Sequence, residues 1–245
     1  MDDRTHAILE TALREYIRTG RPITSESLYA AHDFGIKPAM IRWELNDLAE
    51  AGYFYQTRPS GGRLPTNKAY RFLVNELLAD ERALASADAE TLAAAFLRGR
   101  RQAFVEGFSA CLKVLGVGYE APQESFYESG LPELLTGLDI ESKDELLDIV
   151  RDFEQLPKRL AERESWWQGG AAGPQVWIGA SPLTRSDRLS VITGLLGEGD
   201  NQFLLVAVGP KRMDYKKSLA VFKTLHQSVG KGKKTAKPKK RKSHE

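Results

Sequence analysis

Pro38-Ala39-Met40-Ile41-Arg42-Trp43-Glu44-Leu45-Asn46-Asp47-Leu48 places its aliphatic residues at positions 41, 45 and 48. That spacing lays a narrow apolar stripe along one side of a helix and leaves the other side polar. Pro38 suits the first helical position, where a missing N–H costs nothing, and Gly52 closes the run. With the stripe turned inward, Ala39, Trp43 and Asn46 face outward and Arg42 stands on the flank. Arginine can pair bidentately with guanine and asparagine with adenine, so this face has the chemistry of a base-reading surface.

Upstream, Ile8, Leu9, Ala12, Leu13, Tyr16 and Ile17 recur at helical spacing between Arg4 and Arg18, and Gly20 ends that helix. Pro22-Ile23 reads as extended, and Thr24 or Ser25 can cap a second helix through Leu28 and Ala31, broken near Gly35. Two short helices joined by a tight turn predict a helix-turn-helix. Downstream, Tyr53 to Thr57 reads as a strand, Pro59-Ser60-Gly61-Gly62 as a turn and Arg63-Leu64-Pro65 as a return strand, which together form a wing. Thr66 can cap a fourth helix with Tyr70, Val74 and Leu77 or Leu78 inward and Lys68 and Arg71 exposed. Residues 1–78 are therefore expected to be a winged helix-turn-helix DNA-binding domain. Its candidate DNA contacts are Lys37, Ala39, Arg42, Trp43, Asn46, Arg58, Ser60, Arg63, Lys68 and Arg71. The competing reading of the same order of elements is a small helical bundle with a hairpin, used for protein contacts.

These residues resemble the HrcA heat-inducible transcription repressors of bacteria. The similarity runs through Ile36-Lys37-Pro38-Ala39-Met40-Ile41-Arg42, Gly52-Tyr53, and Ser60-Gly61-Gly62-Arg63-Leu64-Pro65-Thr66-Asn67-Lys68-Ala69-Tyr70-Arg71. Where the family carries threonine and asparagine in the recognition helix, this chain has Met40 and Trp43. A second specific match is Gly209-Pro210-Lys211-Arg212-Met213-Asp214-Tyr215, with a looser one at Val176 to Gly179 and Leu189 to Ile192. The resemblance implies a GAF-like dimerisation domain after the DNA-binding one and a homodimer on an inverted-repeat operator upstream of chaperone genes. It also implies a chaperonin that assists folding or activity. This chain is shorter than typical members, and Ala180-Ser181 stands where many have acidic residues, which implies lost strands or a lost inserted subdomain.

Beyond residue 78, a helical interdomain segment is expected over 79–120, with helix-like runs at Thr91 to Leu97 and Ala103 to Leu115. Two further helices are expected at Lys143 to Phe153 and Leu156 to Trp166, and Gly169 to Pro174 reads as a loop. The periodicity then shifts to strands at Val176 to Ile178, Leu189 to Leu195 and Phe203 to Val208, with turns at Pro182 and Gly197 to Asp200. A last helix is expected from Asp214 to about Val229. The fold class is thus α+β, with residues 121–230 as a GAF-like domain holding a small antiparallel sheet.

Charge divides the 245 residues more sharply than the net +2 suggests. Residues 1–78 balance at zero, 79–230 carry −5, and 231–245 carry +7, with eight basic side chains among Gly, Thr and Pro. The tail is expected to be disordered and to add sequence-independent attraction to phosphates. From Thr57 to Arg71, Arg58, Arg63, Lys68 and Arg71 occur with no acid among them, a focused basic patch of the kind DNA contact requires. Lys211, Arg212, Lys216 and Lys217 crowd the start of the last helix, where they read first as a solvated basic turn that fixes the last strand to the last helix and alternatively as an anion site.

Several classes are set aside. The longest apolar run, Phe203 to Val208, is too short to span a bilayer and no leader segment is read at Met1-Asp2-Asp3, so a cytoplasmic protein with no membrane partner is expected. Cys111 is the sole cysteine and His6, His32, His226 and His244 are scattered, which gives no disulfide and no metal spacing. No phosphate loop, nucleophile–base pair or carboxylate pair stands out, so neither a cofactor nor catalysis is expected. The rival function is an adaptor that keeps the winged scaffold and binds protein or RNA, having lost operator reading through Trp43.

Overall fold

The computed structural model describes residues 1–58, 61–80, 87–162, 173–197 and 202–232. Helix α1 (Asp3–Thr19) starts where Asp2 accepts the Thr5 N–H at 2.7 Å and stops at Gly20, which takes a left-handed φ of 66°. Helix α2 (Ser25–Ala31) is capped by Thr24, whose hydroxyl accepts the Ser27 N–H while the Ser27 hydroxyl accepts the Thr24 N–H. Helix α3 (Pro38–Glu50) begins on the proline and buries Ile41, Leu45 and Leu48. Strands β1 (Phe54–Gln56) and β2 (Arg63–Pro65) pair antiparallel, and Ile23 bridges to Arg63 as a third edge. Helix α4 (Asn67–Ala79) follows its Thr66 cap.

One core joins Ile8, Leu9 and Leu13 of α1, Leu28 of α2, the α3 stripe, Phe54, and Ala69 and Leu73 of α4. The opposite side of α4 turns Tyr70 and Val74 into a different core. α4 is thus a wall shared by two cores. Lys223 of the last helix fixes the end of α4 by donating to the carbonyls of Leu77 at 2.9 Å and Asp80 at 2.8 Å.

The remainder is a five-stranded antiparallel sheet covered on both faces. β3 (Leu115–Glu120), β4 (Ser125–Ser129), β5 (Gln175–Ile178), β6 (Leu189–Leu196) and β7 (Phe203–Pro210) lie in the order β4-β3-β7-β6-β5. Helices α5 (Ala87–Leu97), α6 (Arg101–Leu112) and α9 (Tyr215–Gly232) cover one face. Their core includes Phe96, Phe104, Phe108, Phe203 and Phe222. Helices α7 (Leu131–Gly137) and α8 (Lys143–Glu162) cover the other through Leu134, Leu156 and Leu160. Along β7 the alternation is strict, Leu204, Val206 and Val208 meeting the α8 side and Phe203, Leu205 and Ala207 the other. Coverage on both faces accounts for an unbroken apolar strand where a half-exposed one would alternate with polar residues.

The α+β class with a small antiparallel sheet holds, and three details of the sequence reading are corrected. Residues 79–120, expected as a helical segment, hold a strand as well: α6 packs on β3 and β4, α5 packs on α6 and α9, and β3 is an interior strand hydrogen-bonded to both β4 and β7. The helix expected to reach Leu115 ends at Lys113, a left-handed residue, because the chain must turn there into β3. The two helices expected across 143–166 are one through Glu162, which runs past Pro157 because Ile149, Asp152, Leu156 and Leu160 form a single buried stripe. The expected turn at 198–200, the greater part of the expected 169–174 loop, and tail residues 233–245 lie outside the described residues.

Tyr215 anchors the start of α9. Its buried hydroxyl bonds Ser190 Oγ at 2.8 Å and donates to the Lys211 carbonyl at 2.6 Å, and burial pushes its pKa far up. Tyr215→Phe is expected to lower stability by about 1–3 kcal/mol in a urea titration, since Ser190 and the carbonyl would stay buried with less to bond.

Candidate nucleic-acid interface

The exposed side of α3 is built by its buried side. With Ile41, Leu45 and Leu48 fixed in the core, Ala39, Met40, Arg42, Trp43 and Asn46 must face solvent, and Trp43 is 75% exposed. A tryptophan held open to water on a rigid helix carries a large desolvation gain for whatever covers it. Lys37 is the exposed N-cap residue of the same helix.

Two polar contacts organise this face. Arg42 donates from Nη2 to Glu26 on α2 at 2.7 Å, both side chains remaining well exposed. Asn46 accepts from Arg63 Nη2 on β2. Arg42, Asn46, Arg63 and Glu26 thereby line a groove between the start of α2, α3 and the hairpin, with Gln56 holding the turn through the Gly61 carbonyl at 3.1 Å. Gly62 is required at the floor, because an added Cβ would stand 2.7 Å from Pro22 and 2.9 Å from the Ile23 carbonyl.

Arg63, expected as a DNA contact of the wing, lies largely buried at the base of the hairpin. It is 7% exposed, tied at both backbone groups to Ile23, and its Nε has no hydrogen-bond partner among the described residues. Burial, with repulsion from Arg42, lowers its pKa from the ordinary arginine value. Lys68 is also engaged, donating to the Ala51 carbonyl at 2.6 Å beyond the end of α3 and lying 4.5 Å above the Tyr53 ring. Arg58 and Arg71 are exposed as expected, and Ser60 lies outside the described residues. Glu26 and Gln56 were missed: nothing in their own spacing singles them out, and only the fold brings them to Arg42 and Gly61.

The candidate anion site does not assemble as a cradle. Lys211 pairs with Asp187 at 2.6 Å, Arg212 with Asp139 at 3.1 Å, and Lys217 donates to the Cys111 carbonyl at 2.8 Å, leaving Lys216 exposed. These cations are tethers. Asp187 also accepts from Asn67 at the start of α4 at 3.0 Å, which ties the sheet's connecting loop to the N-terminal elements. Burial raises the Asp187 pKa, but hydrogen bonds from Lys211 and Asn67 outweigh it and hold the carboxyl below its usual value. His6, Glu10 and Glu76 also cluster between α1 and α4, where Glu10 already serves Arg14 at 2.6 Å and His6 meets Glu76.

A family model described as the HrcA protein C terminal domain matches residues 66–219. The chain belongs to the HrcA family. The heat-inducible transcription repressor HrcA of Symbiobacterium thermophilum is 35% identical over 102 residues, covering 42% of this chain and 30% of that protein. The one from Acetivibrio thermocellus is 40% identical over 78 residues, covering 32% and 22% respectively. These alignments span less than a third of the relatives' own length. Proteins so named are transcription repressors, not enzymes. Among solved structures, one described only as a hypothetical protein at 2.2 Å resolution matches with a TM-score of 0.74 at 15% identity, covering 96% of this chain and all of that one. That likeness extends the fold over nearly the whole length. No described helix is long and apolar enough to cross a membrane.

Proposed function

We propose that the chain is a homodimeric transcription repressor that binds an inverted-repeat operator in double-stranded DNA. Residues 1–78 act as a winged helix-turn-helix, α3 as the reading helix and the β1–β2 hairpin as the wing. The observation that carries this reading is the exposed α3 face, where Arg42, Trp43 and Asn46 stand on a helix fixed by a buried stripe. Residues 121–230 act as a GAF-like dimerisation and regulatory domain, and we assign α5, α6 and β3 to it. The relatives' name, heat-inducible transcription repressor, supports heat as the releasing signal, while chaperone genes as targets and a chaperonin as a modulator are what the sequence resemblance implies. The basic segment 231–245 adds attraction to phosphates.

Selection of bound sequences from random DNA tests the reading. A consensus with two-fold symmetry is expected, since half-sites related by a dyad match a two-fold protein. Absence of any enrichment would favour the adaptor function, in which Trp43 meets protein or RNA.

Exposed cations are expected to act evenly on all sequences. Alanine at Lys37, Arg58 or Arg71 should lower affinity for operator and scrambled DNA alike, each lost phosphate contact reducing the salt slope by roughly 0.9. Titrations at several salt concentrations check this. A change confined to the operator would assign the residue to base reading instead.

A further inference from the structure

We infer that the outer face of α8 is the contact through which two copies of this chain dimerise, the two helices running antiparallel with Leu147 of each copy against Val150 of the other. The inference rests on the homodimer proposed above and names the surface that closes it.

Helix α8 buries Ile149, Asp152, Leu156 and Leu160 against the sheet, which turns Lys143, Leu147, Val150 and Glu154 to the opposite side. Their spacing of four, three and four residues lines them up in one narrow stripe, the seam spacing of paired helices. The middle of the stripe is apolar where a solvent-facing helix side is ordinarily charged: Leu146, Leu147 and Val150 are 36%, 49% and 38% exposed. Single exposed aliphatic residues are common, but three adjoining ones on one rigid helix hold apolar area in water that a partner would cover. Lys143 and Glu154, at the two ends, have no ion pair among the described residues.

The stripe is its own complement when reversed. Leu147 and Val150 lie equally far from the midpoint between Asp148 and Ile149, and so do Lys143 and Glu154. Two antiparallel copies meeting at that midpoint therefore set Leu147 against Val150 and Lys143 against Glu154, each contact occurring twice, as an isologous two-fold interface requires. Arg151, which pairs with Asp148 of its own helix at 2.9 Å, then stands between Asp144 and Asp148 of the second copy. A parallel pair would set Lys143 against Lys143 and Glu154 against Glu154, which like-charge repulsion disfavours. An unrelated partner would match this order of cation, two aliphatic residues and anion only by coincidence. The occupant that the charges select is a second copy.

The test measures the dimer dissociation constant of the full chain by sedimentation equilibrium, for wild type, Leu147→Asp, Lys143→Glu, Glu154→Lys and the double variant Lys143→Glu with Glu154→Lys. Circular dichroism first shows each to be folded, and Val150→Asp takes the place of Leu147→Asp should that variant not fold. Leu147→Asp should raise the constant by at least about tenfold, because each copy would bury an unpaired carboxylate against Val150 of the other. Each single charge reversal should raise it by about tenfold, since two attractive pairs become repulsive. The double variant exchanges the signs and should return the constant to within about threefold of wild type. A dimer that Leu147→Asp leaves as tight as wild type, or a double variant no tighter than its single parents, would overturn the inference and leave the homodimer reading intact. A wild type that stays monomeric at every concentration would give this face to a different partner and overturn both.

Discussion

Asp152→Ala is expected to lower the free energy of unfolding by about 3–5 kcal/mol. Asp152 lies on the buried stripe of α8, its side chain 2% exposed. One carboxylate oxygen accepts from Arg159 at 2.7 Å and from the Arg185 N–H at 2.9 Å. The other takes the Arg185 N–H at 2.8 Å and the Ser186 N–H at 2.8 Å. A charge so enclosed is tolerable only because each lone pair is used. Alanine would strand the Arg159 guanidinium with the Leu183 carbonyl as its remaining partner among the described residues and deprive the Arg185 and Ser186 N–H groups of their acceptor. Asparagine at this position would keep one acceptor but lose the charge, so Asp152→Asn should fall between wild type and alanine. Denaturant titration followed by circular dichroism measures this, and a loss below about 1 kcal/mol for alanine would refute it. The damage should also spread, because the 185–188 loop carries Asp187, which holds Asn67 and Lys211.

Phe203→Ala is expected to cost about 3–5 kcal/mol, with a specific pattern of rescue. The ring stands at the head of β7, edge-on to Phe96 at 5.2 Å and to Phe104 at 5.8 Å, and lies 6.1 Å from Tyr127. Removing it opens a cavity and forfeits the favourable edge-to-face pairs. The ring also covers Gly118 of β3, where an added Cβ would lie 2.1 Å from Cζ. Gly118→Ala alone should therefore destabilise by overpacking, by about 1–3 kcal/mol. In the double variant the new methyl enters the vacated space. The combined loss should then be smaller than the sum of the single losses by at least about 0.5 kcal/mol, the scale of coupling for residues in contact. Strict additivity would mean that Phe203 does not occupy the space above Gly118.

The N-terminal elements were legible because each announces itself locally. Pro38 and Thr24 mark helix starts, and Ile41, Leu45 and Leu48 mark a face, with no distant partner needed. β3 was hidden for the opposite reason. Its outward partners on the helix side are Gly116 and Gly118, placed there because Ser109 and Phe203 press within 2.3 and 2.1 Å of any Cβ. A strand whose alternate residues are glycine shows only Leu115, Val117 and Tyr119, too sparse a signal next to a strong helix. Pro157 misled in the same local way, its backbone signal outweighed by the long-range burial of Leu156 and Leu160.

Site chemistry was legible by residue type and not by state. Arg42, Trp43 and Asn46 could be placed on one face from spacing alone. That Asn46 is bonded through its oxygen follows from a partner 17 residues away on a strand. Arg63 looked like a surface cation because buried arginines without a carboxylate are rare. The cations of the 211–217 stretch looked free because Asp139, Asp187 and Asp88 reach them only through the fold.

The role of α3 as the reading helix is tested most directly by one comparison: the affinity of wild type and of Arg42→Ala for operator and for scrambled DNA, titrated at fixed salt. Arg42 lies on the exposed face with its guanidinium held by Glu26 at the groove. Alanine should cut the ratio of specific to non-specific affinity by about tenfold or more, the loss of ~1–3 kcal/mol of base discrimination, while affinity for scrambled DNA changes little. An unchanged ratio would show that the exposed face of α3 does not read the operator.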